Sequence, residues 1–158
     1  MPPLSKYSYQ ALSNADIIRL VVLEPARSEA APLKCSIATI SLSGQPSQHL
    51  EYHAVSYCWG DQQAQVAQPL EIRDQVGSTS HLKITPNVDA VLRRFRSPTG
   101  RQRLWIDAVC INQEDELEKA QQIPEMGRIY GQAIEVLHLA GPRTLPHRPD
   151  HVVPSASQ

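Results

Sequence analysis

The chain of 158 residues holds only three cysteines, Cys35, Cys58 and Cys110, all far apart. An odd count without a C-x-x-C spacing argues against a disulfide framework and against a zinc site built on cysteine. Charge imbalance is nearly absent: 15 Lys and Arg against 16 Asp and Glu leave a net charge of -1. Bulk attraction to nucleic acid or to an anionic membrane is therefore not indicated. No N-x-S/T acceptor occurs, the opening MPPLSKYSYQ has no apolar h-region, and no apolar run is long enough to cross a bilayer. P-loop, G-x-G-x-x-G and G-x-S-x-G patterns are missing. The expectation is a cytoplasmic protein of a reducing compartment, with no nucleic-acid partner, membrane span, metal or cofactor.

What is present fits one domain with one ordinary core. Residues 1–15 read as an irregular arm. Three strands are expected over 17–23 (IIRLVVL), 33–42 (LKCSIATISL) and 52–57 (YHAVSY). Leu70-Glu-Ile and Leu82-Lys-Ile flank a Gly/Ser/Thr loop and read as a hairpin. Thr85-Pro86 starts a helix, with Thr as N-cap and Pro at the first helical position. Val88, Val91, Leu92 and Phe95 then form one apolar stripe. A strand over 104–110, a helix over about 114–132 and a strand over 134–139 follow. Residues 141–158 are rich in Pro and Ser and read as a disordered tail. The arginines 93, 94, 96, 101 and 103 fall at a helix end and the loop after it, where cations meet a favourable dipole.

Strands alternating with helices imply parallel pairing and right-handed crossovers. Ligands of open α/β sheets sit outside the carboxyl ends of the strands. Two unusual polar clusters fall at such ends: Tyr57, Trp59, Gly60 and Asp61 after one strand, Asn112 and Gln113 after another. Asp107, between them in sequence order, needs a hydrogen-bonded partner. On the following helix, Ile123, Met126, Ile129, Tyr130 and Ala133 share the inward face. The same stripe meets Asp115, Glu118, Lys119 and Gln122 nearer the N-terminus. A carboxylate there must face water, an ion-pair partner or a ligand pocket, because burying it alone is costly. Pro124 is expected to kink this helix near 120–124. Acidic residues in the first turn also serve the helix dipole, and Trp59 also suits a packing role. A thiol nucleophile from Cys58 or Cys110 with His53 is a weaker constellation, since buried cysteines usually act as small apolar residues. A metal site on His138, His147 and His151 is weaker still.

Three stretches, YHAVSYCWGD (52–61), LWIDAVCINQEDELEKAQQ (104–122) and MGRIYGQA (126–133), resemble the heterokaryon incompatibility (HET) domain of filamentous fungi. IIRLVVLEP and LKITPNVDAVLRRFR fit as linking pieces. The resemblance spans residues 16–140, with its motif core at 52–133. It implies a cytosolic allorecognition protein that triggers growth arrest and programmed cell death. It also implies an α/β fold distantly like the TIR fold: a flavodoxin-like, mostly parallel sheet with flanking helices, here with an additional N-terminal strand pair or hairpin. Some TIR domains cleave NAD, as substrate, at the nicotinamide–ribose bond with a helix glutamate. By position Glu118 would take that role. Tyr57 or Trp59 would stack on a ring, and Asn112 and Gln113 would orient polar groups. Gly60, Asp61, Asp107 and Gln122 complete the substrate-binding candidates. A carboxylate near the developing ribosyl cation would stabilise it. The pattern's usual "WLG" continuation is replaced by VLHLAGPRTLP, so the domain reads as cut short at its C-terminal side. A non-enzymatic module that self-associates or contacts other incompatibility proteins, and a truncated inactive remnant, stand as alternatives.

Overall fold

The computed structural model describes residues 4–44, 51–57 and 67–139, with Tyr57 and Leu139 described in backbone only. Seven strands form one sheet: β1 (Ile17–Leu23), β2 (Lys34–Ser41), β3 (His53–Tyr57), β4 (Gln68–Arg73), β5 (Thr79–Ile84), β6 (Gln102–Trp105) and β7 (Glu135–Leu139), in the order β5-β4-β2-β1-β6-β3-β7. Helix α1 (Pro86–Phe95) precedes β6. After it come α2 (Asp107–Cys110), α3 (Glu116–Gln122), a 3₁₀ turn (Ile123–Glu125) and α4 (Met126–Gln132).

The sheet is mixed, which corrects the mostly parallel expectation. The pairs β2/β4, β6/β3 and β3/β7 are parallel, whereas β1/β2, β1/β6 and β4/β5 are antiparallel. The cause is the N-terminal hairpin β1–β2, which enters the middle of the sheet. There β1 runs against both of its neighbours. The expected strand pair is therefore present, but centrally. The three strands β3, β6 and β7, which helices separate along the chain, form the parallel block β6-β3-β7. The hairpin β4–β5 pairs Leu70 with Leu82 across its ladder.

Local chemistry explains the helices. The Thr85 hydroxyl oxygen accepts the Val88 N–H at 3.3 Å, Pro86 occupies the first turn, and Val88, Val91 and Leu92 are buried. Two of the five expected basic-cluster arginines leave this helix for backbone carbonyls. Arg93 donates to Ala31 at 2.7 Å, and Arg96 donates to Ser28 at 2.9 Å and to Ala31 at 3.0 Å. The 3₁₀ turn falls where Pro124 requires it and divides the second helix. It also rotates the apolar stripe. Ile129 and Ala133 face the core and Met126 and Tyr130 pack against it, but Ile123, expected inward, is 53 % exposed.

The expected strand over 104–110 is corrected too. β6 ends at Trp105, the last residue paired to β3; Ile106 is still extended, and a single helical turn begins at Asp107. The Ile106 carbonyl accepts the N–H groups of Val109 (3.1 Å) and Cys110 (2.8 Å). Asp107 sits in the first turn, where a negative charge is favoured. Val109 and Cys110 are fully buried. A short buried apolar run satisfies either geometry, and periodicity alone does not separate them.

Candidate functional site

β1 reads as a continuous apolar run because a central strand is covered on both faces. Arg19 interrupts it and is only 2 % exposed. A buried guanidinium requires a counter-charge and acceptors. Glu118, 7 % exposed, supplies the charge as a two-pronged pair: Arg19 Nη2 to Oε1 at 2.6 Å and Nη1 to Oε2 at 3.0 Å. Arg19 Nη1 also donates to the Cys110 carbonyl at 3.1 Å, and Nη2 to the Gln10 carbonyl at 2.7 Å. The Tyr9 ring lies 4.8 Å from the guanidinium carbon, a cation–π contact. The Asn112 N–H donates to Glu118 Oε2. Both carboxylate oxygens are thus engaged.

Glu118 is held in place from its own helix as well. The Asp115 carboxylate caps α3 by accepting the N–H groups of Leu117 (3.1 Å) and Glu118 (3.2 Å). One turn on, Gln122 is 1 % exposed and its Nε2 donates to the Ile17 carbonyl at 3.1 Å. Its Oε1 and the indole N–H of Trp105 have no partner among the described residues. Trp105 meets the Tyr130 ring edge-on at 5.7 Å. Glu118 and Gln122 are therefore the polar stripe anticipated on the inward face, and the partner that resolves it is an ion pair to β1.

A cleft of about 220 Å³ lies beside this pair, lined by Tyr7, Tyr9, Lys83, Thr85, Asn112 and Gln113 among others. It is smaller than the roughly 300–1,000 Å³ of common small-molecule pockets. Asn112 uses its side-chain oxygen on the Glu114 N–H (3.2 Å), and Gln113 Nε2 donates to the Asp107 carbonyl at 3.0 Å. Asp107 opens α2. The candidates thus divide. Asn112 and Gln113 line the cleft, while Glu118 and Gln122 lie buried. Tyr57 ends β3 at the sheet edge shared with β6, with its side chain outside the described residues. Trp59, Gly60 and Asp61 lie outside the described residues, as do Cys58, His147 and His151.

Burial pushes the Cys110 thiol up to about 12, so it is not an activated nucleophile. His53 instead faces Glu135 across β3 and β7, at 3.6 Å. Among the described residues no three His, Cys, Asp or Glu side chains gather to hold a metal, and no helix is long and apolar enough to cross a membrane.

The sequence reading missed two polar centres. One is Arg19, whose signal was a lone cation inside an apolar strand. The other is Asp16, which accepts from Ser41 (2.5 Å), Ser43 (2.5 Å) and Arg128 (3.0 Å) and so ties the β1–β2 hairpin to α4. These hydroxyl contacts, with the Arg128 bond, hold the Asp16 carboxyl well below the usual range.

A family model described as heterokaryon incompatibility protein (HET) matches residues 52–154. The chain belongs to the heterokaryon incompatibility family. A relative is the heterokaryon incompatibility protein 6, OR allele, of Neurospora crassa, 36 % identical over 147 residues. The match covers 88 % of this chain and 21 % of that protein, so the chain spans about a fifth of its relative's length. No solved structure matches the chain. The two motifs of the HET domain that the structure describes most fully, 104–122 and 126–133, carry Glu118, Gln122 and Arg128. All three side chains bond to β1, the segment just before it, or the hairpin it belongs to.

Proposed function

We propose that this chain is a signalling domain of fungal allorecognition, acting in the cytoplasm to trigger growth arrest and cell death through contacts with other proteins or copies of itself. The observation that carries this reading is the engagement of both Glu118 oxygens inside a buried pair. A carboxylate so held serves as a strut between α3 and β1, not as a group offered to substrate. Arg93 and Arg128, natural choices for a partner-facing surface, are both bonded within the chain. The exposed apolar side chains Leu117 on α3 and Ile123 on the turn after it offer a better surface. The test is expression in fungal cells. A folded Leu117→Asp/Ile123→Asp variant is expected to lose toxicity. A folded Arg19→Met/Glu118→Leu variant, with neither charge, is expected to keep it.

The second reading is TIR-like cleavage of NAD. It is favoured by the cleft, which places two tyrosines and two amide side chains beside the Arg19–Glu118 pair. The parallel block β6-β3-β7 is the part of the sheet that a flavodoxin- or TIR-like arrangement calls for. Glu118 would then stabilise the ribosyl cation after rearrangement of its pair. Nicotinamide release from NAD by the wild type, but not by a folded Glu118→Gln variant, would replace the first reading with this one.

A further inference from the structure

The segment before β1 covers the buried pair, and of its residues 4–10 only the half-buried Tyr7 packs against the edge of the hydrophobic core. None of residues 4–10 is buried; Tyr7 and Tyr9 are half-buried and the rest are exposed. This arm is held by discrete polar contacts. At one end it forms a bridge to the edge strand β5, with the His81 N–H donating to Ser5 (2.7 Å) and the Tyr7 N–H donating to His81 (2.9 Å). At the other, the Tyr9 hydroxyl donates to the Val109 carbonyl at 2.7 Å, and the Gln10 carbonyl accepts from Arg19 at 2.7 Å. The Lys6–Glu114 ion pair, 3.7 Å and exposed on both sides, adds little. Segments with few buried contacts open at low free energy. Beneath this one lies a charge pair that is stable only while its polar groups are satisfied or hydrated.

We propose that residues 4–10 form a strap whose release opens the Arg19–Glu118 pair to water as one cooperative event. In the closed form the carboxylate is a buried strut. On release Arg19 loses an acceptor and its ring contact, Tyr7 and Tyr9 leave the cleft wall, and Glu118 becomes accessible beside Asn112 and Gln113. The device connects the N-terminal segment to the family motif through geometry alone. It does not rest on any catalytic role of Glu118.

Amide hydrogen exchange on the full chain tests it. The Asn112 N–H, bonded to Glu118, should exchange together with those of Tyr7 and His81, and faster than the β1 amides. Tyr9→Ala removes one hydrogen bond and two ring contacts, one with the Arg19 guanidinium and one with the Tyr7 ring. It should speed all three by about fivefold to thirtyfold and leave β1 unchanged. A Lys6→Cys/His81→Cys variant, oxidised to staple the arm to β5, should slow all three, and reduction should restore them. An Asn112 amide that ignores both changes overturns the proposal. So does Tyr9→Ala accelerating β1 equally, since the arm would then be part of the global fold.

Discussion

Removing the Glu118 carboxylate should be among the most damaging single changes available to this chain. In Glu118→Ala the Arg19 guanidinium, 2 % exposed, keeps two backbone carbonyls but loses its counter-charge. Breaking a buried pair from one side costs about 3–5 kcal/mol. That is a large share of the roughly 5–15 kcal/mol that stabilises an ordinary domain. At a slope of about 2 kcal/mol/M the urea midpoint falls by roughly 1.5–2.5 M. The assay is urea unfolding followed by tryptophan fluorescence, with Trp105 in the core as reporter. Arg19→Met/Glu118→Leu should recover at least half of the loss, because neither charge then remains buried. What persists is the penalty for the Asn112 N–H and the Gln10 and Cys110 carbonyls, which lose partners. A shift below about 0.5 M for Glu118→Ala, or a double variant less stable than either single one, would refute the strut. The same experiment guards the functional test. Loss of toxicity in Glu118→Ala alone cannot separate chemistry from unfolding.

Gly127 and Gly131 lie in α4, and a Cβ on either meets nothing within 4 Å. Alanine at each should stabilise the fold by about 0.5–1 kcal/mol, read as a higher urea midpoint. Asp16, with its lowered pKa, contributes stability that is complete above the unfolded value of about 4 and is lost as pH falls through its folded value. Asp16→Asn should therefore flatten the acid limb of a midpoint-against-pH curve, and an unchanged limb would count against the Ser41–Ser43–Arg128 network. Cys35 and Cys110 are buried, with thiols pushed up by that burial. Iodoacetamide followed by peptide mass spectrometry should label neither in the native protein and both in urea.

The elements written in local chemistry were legible. Thr85-Pro86 fixed the start of α1, alternation marked the β4–β5 hairpin, and Pro124 marked the break between α3 and α4. The failures share a cause, which is information held far away in the chain. Nothing within LWIDAVC says that its ladder partners end at Trp105, so the turn to helix at Asp107 was unreadable. Nothing in IIRLVVL says that it inserts between β2 and β6. For the candidate site, the inward position of Glu118 and Gln122 followed from helix geometry, and so did their need for a partner. The partner's identity did not, since Arg19 stands 99 residues earlier in the chain. The Tyr57–Asp61 cluster remains a reading of sequence.

The central place of β1 also sets a timetable for the newborn chain. Its second neighbour, β6, begins roughly 80 residues after β1 ends, and Glu118 follows later still. At a synthesis rate of about 5–20 residues per second, the wait for β6 is on the order of 4–16 s. Through that interval one side of an apolar strand carrying a lone arginine has no native partner. The early hairpin is therefore a natural client for chaperones on the ribosome, and the domain can close only after its second motif has emerged.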